Sequence, residues 1–270
     1  MSKPKPSLIR AATKIRALQE APVKNKSPAK KKASIDTSAA RLCAPPRSIG
    51  TQNESSLHKA LKLHYTDSEG AVEAPVGGYI CDGRTSRGEL IEVQCGSFAP
   101  LKEKVAELAL KHKIKVIHPI IAEKYIELYD TSGILLHRRK SPRKGSEWDL
   151  FYALMYAPLL PLLKNFSIEL AFVEIVERRE NDGKGSWRRK KVSITGKTLQ
   201  AVRGSLVLAK PKDYNRFIPF KKSESFTVRT FAEKAGIDKV LAEKTLYVLT
   251  KLGLTQRTGR KGRAHVYERM

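Results

Sequence analysis

Two carboxylates on a predicted β-hairpin are the residues best placed to do chemistry. Asp82 and Glu92 lie ten positions apart. If residues 86–88 form a three-residue loop with the glycine in the left-handed conformation, Arg84 pairs with Leu90 and Asp82 lies opposite Glu92. Opposed carboxylates repel each other unless a cation lies between them. Carboxylate oxygens with waters suit Mg²⁺ or Mn²⁺, which can activate a water and neutralise charge on a phosphate.

The neighbouring elements would position further groups around this pair. Glu92 and Gln94 share a face because strand side chains alternate, and the apolar residues around Glu92 indicate a strand buried on both faces. A helix over 53–65 would bring Glu54 to the same centre. His58 would share the face of Glu54, where a partly packed histidine is favoured over a phosphate contact. The alternative is that Asp82 is a turn residue and Glu92 faces solvent.

These residues resemble the pattern of the PD-(D/E)XK nuclease superfamily over roughly residues 50–125. That pattern is a helix with Glu, a strand with Asp, and Glu-x-Lys on the next strand. The resemblance implies a restriction-endonuclease-like α/β fold, a mixed sheet flanked by helices. It implies a Mg²⁺ or Mn²⁺ site held by Glu54, Asp82 and Glu92, and a catalytic role for these three and Gln94. Gln94 replaces the usual Lys, so a degenerate, non-catalytic core stays open as the alternative.

Two further stretches, 141–145 and 182–189, are similar to an uncharacterised bacterial family of this kind. No Walker loop is found, because 183–186 lack the spacing that such a loop needs, and this excludes an ATPase. Three cysteines and six histidines without zinc-ligand spacing exclude a zinc site. Cys81 and Cys95 are interpreted as small buried core residues.

Composition divides the chain into three parts. The formal net charge is +25, which favours a polyanionic partner. Residues 1–48 carry twelve basic and two acidic residues, which predicts a disordered basic arm; a transit peptide would look similar. Residues 49–213 form the nuclease-like domain with an extension. A linker near 214–225 precedes a compact unit at 226–270.

The unit at 226–270 resembles a winged-helix form of the helix-turn-helix. Thr227 is a predicted N-cap, and Gly236 ends the first of two helices, which a two-strand hairpin follows. In that family the second helix enters the major groove and the hairpin touches the backbone. The polar side of the second helix would carry Lys239, Glu243, Lys244, Thr245 and Lys251. The hairpin tip would offer Arg260, Lys261 and Arg263 to phosphates; a protein-contact domain is the alternative.

Two more basic runs extend the predicted nucleic-acid track. They contain Arg138, Arg139 and Lys140 in one run and Arg188 and Arg189 in the other. Trp187 beside the second run could stack on a base or serve as a packing anchor. A charge run is usually a solvated face, but several of them on a strongly basic chain favour binding.

The predicted function is a DNA-binding, divalent-metal-dependent nuclease, a candidate Mg²⁺-dependent endonuclease. The alternative is a non-catalytic DNA-binding or regulatory protein, and an RNA-associated structural protein is a third, weaker reading. DNA is the favoured partner, and a homodimer is left open. No signal peptide and no apolar run long enough for a membrane are found, which predicts a cytoplasmic, nucleoid-associated protein with no membrane partner.

Overall fold

The computed structural model describes residues 55–67 and 70–270. Its α-helices are α1 (Ser56–Tyr65), α2 (Lys102–Leu108), α3 (Leu150–Leu154), α4 (Val228–Ala235) and α5 (Lys239–Lys251). Its strands are β1 (Ala71–Val76), β2 (Tyr79–Arg84), β3 (Leu90–Val93), β4 (Ile114–Tyr129), β5 (Leu135–Lys140), β6 (Phe166–Glu180), β7 (Ser193–Leu208), β8 (Ser225–Thr227), β9 (Thr255–Lys261) and β10 (Ala264–Arg269). The predicted basic arm at 1–48 and Glu54 lie outside the described residues.

Seven strands form one mixed sheet in the order β1-β2-β3-β4-β6-β7, with β5 also paired to β4. The β3–β4 and β4–β6 pairs are parallel, and the other pairs are antiparallel. Strand β3 pairs with the first residues of β4, 114–117, whereas β5 pairs with its last ones, 125–129. The long strand β4 therefore has β3 as its neighbour at one end and β5 at the other.

Pro119 lies inside β4, although the sequence predicted a strand that ends in a loop there. The ladder between β3 and β4 ends where the Gln94 N–H donates to the Ile117 carbonyl oxygen, at 2.9 Å. Backbone groups of alternate residues point to the same side, so the nitrogen of Pro119 faces the side on which β3 has already ended. A proline costs no ladder hydrogen bond at that position, and β4 continues through it.

Helices cover both faces of the sheet. Leu57 and Leu61 of α1 pack with Ile91 and Val93 in one buried cluster. Helices α2 and α3 belong to a second cluster that contains Leu90. Because consecutive strand residues point to opposite faces, α1 lies on one face of the sheet and α2 and α3 lie on the other. The predicted class, a mixed α/β sheet flanked by helices, is confirmed.

The C-terminal unit consists of two helices and a three-stranded sheet in the order β8-β10-β9. The Thr227 hydroxyl accepts a hydrogen bond from the Thr230 N–H at 3.3 Å, so the predicted N-cap of α4 is present. Gly236 ends α4 with φ of +66°, as its position after the apolar face predicted. Hairpin β9–β10 follows α5 directly.

The segment predicted as a linker is packed into the core. Tyr214 and Phe217, in a short 3₁₀ helix, are fully buried. The Phe217 ring contacts Trp148 at a centroid distance of 5.1 Å, and Trp148 contacts Phe231 of α4 at 6.2 Å. One hydrophobic cluster thus runs from the mixed sheet into the C-terminal unit. Within the residues that the structure describes, no helix has the length and apolar character needed to cross a membrane.

Candidate functional site

The β2–β3 hairpin has the register that the sequence predicted. Arg84 pairs with Leu90 and Gly83 with Ile91, and the Thr85 N–H donates to the Glu89 carbonyl oxygen at 2.9 Å across the loop. The loop glycine, Gly88, has φ of +81°. This is the left-handed conformation that a glycine adopts without strain.

Beyond this ladder, side-chain carboxylates replace backbone partners. The Asp82 N–H donates to Glu92 Oε1 at 3.3 Å, and the Val93 N–H donates to Asp82 Oδ2 at 2.8 Å. These reciprocal bonds satisfy backbone donors that would otherwise lack a partner between separating strands. They bring Asp82 and Glu92 together, as the hairpin register predicted.

Glu92 is the buried member of the pair. It is 3% exposed, and the Lys104 ammonium of α2 lies 2.5 Å from its Oε1. The same ammonium donates to the Ile80 carbonyl oxygen at 2.6 Å. Burial raises the pKa of Glu92 and the Asp82 charge adds to this, while Lys104 acts in the opposite direction. Lys104 is therefore the charge partner that offsets the cost of burying this carboxylate, and it was not among the predicted site residues.

Asp82 is bonded from the other helix, α1. His58 Nε2 lies 3.3 Å from Asp82 Oδ2, and Lys62 Nζ lies 3.3 Å from Asp82 Oδ1. Burial acts to raise the pKa of Asp82, but the His58 and Val93 hydrogen bonds and the nearby positive charges outweigh it and hold the pKa below its usual range. His58 and Lys62 are four residues apart, so they share one face of α1. Because α1 and α2 cover opposite faces, the two carboxylates are bonded from two sides and not from the single face that was predicted.

Gln94 is held by the loop that follows β3. Its Nε2 donates to the Ser97 carbonyl oxygen at 2.5 Å. The backbone carbonyl oxygen of Gln94 lies 2.6 Å from His118 Nδ1. The side-chain amide thus ties down the loop, and Lys104 is the positively charged group in contact with Glu92. Cys81 is buried as predicted, whereas Cys95 is exposed and is not a core residue.

The centre contains two of the three predicted metal ligands, Asp82 and Glu92. In the parts of the chain with described coordinates, no group of three or more His, Cys, Asp or Glu side chains is arranged to hold an ion. Asp82 and Glu92 are two carboxylates, and Mg²⁺ is commonly held by one or two carboxylates together with waters and substrate phosphates. The pair therefore fits Mg²⁺ or Mn²⁺ by its chemistry. The third predicted ligand, Glu54, lies outside the described residues.

The predicted basic residues of the sheet differ in their availability. Arg138 lies 3.6 Å from Glu127, and Lys140 lies 2.9 Å from Glu123. Arg139 is exposed. Because Arg138 and Lys140 are paired with carboxylates, this surface has less net positive charge for a polyanion than the run of basic residues indicated.

The second basic run surrounds an exposed aromatic ring. Trp187 is 79% exposed, so of its two interpretations the one in which it anchors the packing is wrong. The Arg188 guanidinium lies 5.6 Å from the centroid of its ring. Arg189 donates from Nε to the Val192 carbonyl oxygen at 3.3 Å. An exposed indole with an arginine beside it can stack on a nucleic-acid base.

In the C-terminal unit, α5 is the helix predicted to enter the major groove, and much of its surface is buried in the protein core. Thr245 is 0% exposed, so its assignment to the polar side of α5 is wrong; its position in the helix turns it into the core with Leu241 and Leu249. Lys244 Nζ lies 3.1 Å from Met155 Sδ of the α/β unit. Lys239 is exposed, 4.0 Å from Glu243.

The hairpin tip is an exposed cationic surface of this unit. Arg260, Lys261 and Arg263 are all exposed. Across residues 55–67 and 70–270, no carboxylate forms an ion pair with any of the three. Their charges are therefore available to a partner.

Comparisons with known proteins place the chain in a family. An "Uncharacterized protein" of Treponema pallidum (strain Nichols) is 25% identical over 221 residues, which is 82% of this chain and 87% of that protein. No solved structure shows significant similarity. The family model described as "Domain of unknown function (DUF8091)" matches residues 55–209, which include α1, the whole mixed sheet and both carboxylates. The chain belongs to the DUF8091 family.

Proposed function

We propose that this protein is a nucleic-acid-binding phosphodiesterase that depends on Mg²⁺ or Mn²⁺ and acts on DNA. The observation that carries the proposal is the meeting of Asp82, Glu92 and Lys104 where β2 and β3 separate. Two carboxylates and an ammonium group in one buried centre combine oxygen ligands for a hard cation with a fixed positive charge for a phosphate.

The roles of the residues follow from their contacts. Asp82 and Glu92 would hold the metal ion, which when bound supplies Lewis-acid activation of water and neutralises charge on the phosphate. Lys104 opposes the rise in the pKa of Glu92 that burial causes, and it brings positive charge to the centre. His58 and Lys62 keep Asp82 ionised, since they hold its pKa low. Gln94 positions the loop 95–97 through Ser97.

The order of elements supports a PD-(D/E)XK-like core. Helix α1 is followed by the strands with Asp82 and Glu92, then α2 and β4, which is the order that the resemblance implies. The usual Lys is missing at Gln94, and Lys104 supplies its charge from the helix that follows. The C-terminal unit supports a winged-helix reader, with two helices and a hairpin whose tip is cationic. Nucleic acid is the polyanion that fits these surfaces.

A second candidate function has its own supporting observation. Asp82 and Glu92 are already balanced by His58, Lys62 and Lys104, so the centre is electrostatically complete without a metal ion. Such a network suits a degenerate core that only binds DNA. Buried ion pairs of this kind can be retained for structure alone.

Cleavage assays separate the two candidates. Purified protein is incubated with labelled single-stranded, duplex and branched DNA, and with RNA, in Mg²⁺, Mn²⁺ or chelator. We expect metal-dependent cutting that Asp82→Asn and Glu92→Gln each abolish without loss of binding. Glu103→Gln, an exposed carboxylate on α2, is the matched control and should cut normally. Full binding without cutting of any substrate would support the degenerate core.

A further inference from the structure

A cleft of about 440 Å³ opens beyond the carboxyl end of β3, beside residues in the middle of β4. β3 and β4 are parallel, and open α/β sheets commonly bind ligands just beyond the carboxyl end of a strand, as this cleft lies beyond β3. Its lining includes Gly96, Ser97, His118, Arg143, Gly145 and Tyr152. The volume lies within the roughly 300–1,000 Å³ of small-molecule sites.

His118 is the unusual group in this cleft. It is 5% exposed, and its Nδ1 lies 2.6 Å from the Gln94 carbonyl oxygen. A carbonyl can only accept, so Nδ1 carries the proton. The ring packs edge-on against Phe98 at a centroid distance of 5.3 Å, which fixes its plane. Burial lowers the pKa of His118 and keeps the ring neutral, so Nε2 has a free lone pair.

That nitrogen has no hydrogen-bond partner among the described residues, and it is not an atom sealed from solvent. His118 lines the cleft, so Nε2 is the ring nitrogen available to a ligand there. A buried imidazole whose second nitrogen is locked by a carbonyl is an oriented hydrogen-bond acceptor. A ligand must therefore bring a donor, such as a hydroxyl or an amino group.

The cleft continues from the carboxylate centre. Glu92 pairs with Val116 and Val93 with Ile117, so the same register places Gln94 beside His118. Side chains of Glu92, Gln94 and His118 then share one face, because alternate residues of paired strands do. Along a strand, residues two apart are separated by about 7 Å. A ligand in the cleft would lie within one nucleotide of the Glu92–Lys104 pair.

The rim of the cleft offers a cation on a fixed loop. Arg143 is exposed, and no carboxylate of the described chain is paired with it. Its loop is tied to β4 by the Gly145 N–H, which donates to the Ile121 carbonyl oxygen at 2.7 Å. The Asp149 carboxylate in the lining accepts from the Ser146 N–H at 3.1 Å, so it serves the loop itself.

We propose that this cleft binds one nucleotide of the nucleic-acid strand. Arg143 binds its phosphate, and His118 Nε2 accepts a hydrogen bond from its base amino group or, at the end of a strand, from its 3′-hydroxyl. This inference rests on nucleic acid being the ligand of the proposed function, but it requires no metal and no cleavage. A nucleotide fits because it combines an anion, a donor and a size suited to the cavity.

The test is nuclear magnetic resonance of the full chain with isotope-labelled histidine, in the presence of chelator. The probe is 2′-deoxyadenosine 5′-monophosphate, with inorganic phosphate and deoxyadenosine in separate arms. We expect the His118 ring signals to shift saturably with the nucleotide, while those of the half-buried His112, which is outside the cleft lining, do not. Arg143→Gln should weaken nucleotide binding roughly tenfold, since a hydrogen bond to a charged group is lost. Arg87→Gln, an exposed arginine outside the cleft lining, is the matched control and should bind normally.

Several results would overturn the inference. These are His118 ring signals that do not change at a saturating nucleotide concentration, absence of nucleotide binding, or equal affinities of Arg143→Gln and Arg87→Gln for the nucleotide. Equal binding of inorganic phosphate would show an anion site without a nucleotide pocket. Arg143 lies on the surface, so its variant tests the cleft even if His118→Gln fails to fold. A protein that binds the nucleotide but cuts no DNA would refute only the proposed catalysis.

Discussion

Replacing Lys104 by methionine removes the charge partner of Glu92 while keeping a side chain of similar length. Glu92 and Lys104 are both buried, and the ammonium lies 2.5 Å from the carboxylate. Breaking a buried pair by removing one partner typically costs about 3–5 kcal/mol, because an uncompensated charge is left in the core. We expect Lys104→Met to lower the free energy of unfolding by about that amount near neutral pH.

The loss should depend on pH in a defined direction. Burial already raises the pKa of Glu92, and Lys104 is the group that opposes this shift. Without Lys104 the folded-state pKa rises further, so the folded protein holds a proton that the unfolded chain has released. Stability then falls as the pH rises through this interval, by at most about 1.4 kcal/mol per pH unit. The variant should therefore be closer to wild type at about pH 5 than at about pH 8.

Chemical denaturation at both pH values, followed by circular dichroism, measures these differences. Glu92→Gln combined with Lys104→Met should recover part of the loss, since no buried charge remains. Lys239→Met removes an exposed partner, 4.0 Å from Glu243, and should cost less than about 1 kcal/mol. A Lys104→Met variant as stable as Lys239→Met, or a loss that is larger at low pH, would refute the buried-pair reasoning.

Three further predictions concern the basic hairpin and the packing. Replacing Arg260, Lys261 and Arg263 by alanine should lower the slope of log affinity against log salt by up to roughly 2.7, at about 0.9 per phosphate contact; an unchanged slope in fluorescence anisotropy titrations would assign these charges to another role. Gly145→Ala should destabilise the protein by about 1–3 kcal/mol, because a Cβ there would lie 3.1 Å from one atom each of Ile120, Ile121 and Asp149. A midpoint of thermal unfolding equal to that of the wild type would contradict this. Phe217→Ala should lower the free energy of unfolding by about 3–5 kcal/mol. The α/β unit and the C-terminal unit should still unfold in one common transition, since Phe217 belongs to the cluster that joins them. A second, separate transition would show that the two units unfold independently.

The hairpin could be predicted from sequence because its signals are local. A glycine at the loop position that needs positive φ fixes the turn, and the turn fixes the register. That register placed Asp82 opposite Glu92 before any tertiary contact was considered. The N-cap Thr227 and the C-terminal Gly236 of α4 were predicted for the same reason, since caps are short-range.

The charge partners could not be identified because they depend on how helices dock. Lys104 reaches Glu92 only because α2 packs on the face of the sheet that Glu92 shares. A signal was nevertheless present, since Lys104 lies at helical spacing among Leu101, Val105 and Leu108, in the apolar stripe. A lysine in such a stripe indicates a buried anion. In α1, Lys62 is likewise buried, next to Leu61, and it contacts the Asp82 carboxylate.

Other differences arise where tertiary packing overrides composition. The polar composition of the segment after β7 predicted a linker, yet the rings of Tyr214 and Phe217 are buried where the segment packs between the mixed sheet and the C-terminal unit. Pro119 suggested a strand end, but the neighbouring strand stops first and leaves no hydrogen bond to lose. His118 was not recognised as a site residue, because only the β3–β4 register brings it beside Gln94.

The most direct test of the central claim is the single-turnover cleavage rate of labelled DNA by wild type, Lys104→Met and the double variant Lys104→Met/Gln94→Lys. The measurement uses Mn²⁺ at a temperature where all three are folded. We predict that Lys104→Met slows cleavage by about 10²–10³-fold, as loss of one electrostatic group at a centre of reaction does. A lysine at position 94, on the same face as Glu92, should restore part of the rate. A wild type that does not cut, or a Lys104→Met variant that cuts at the wild-type rate, would contradict the account.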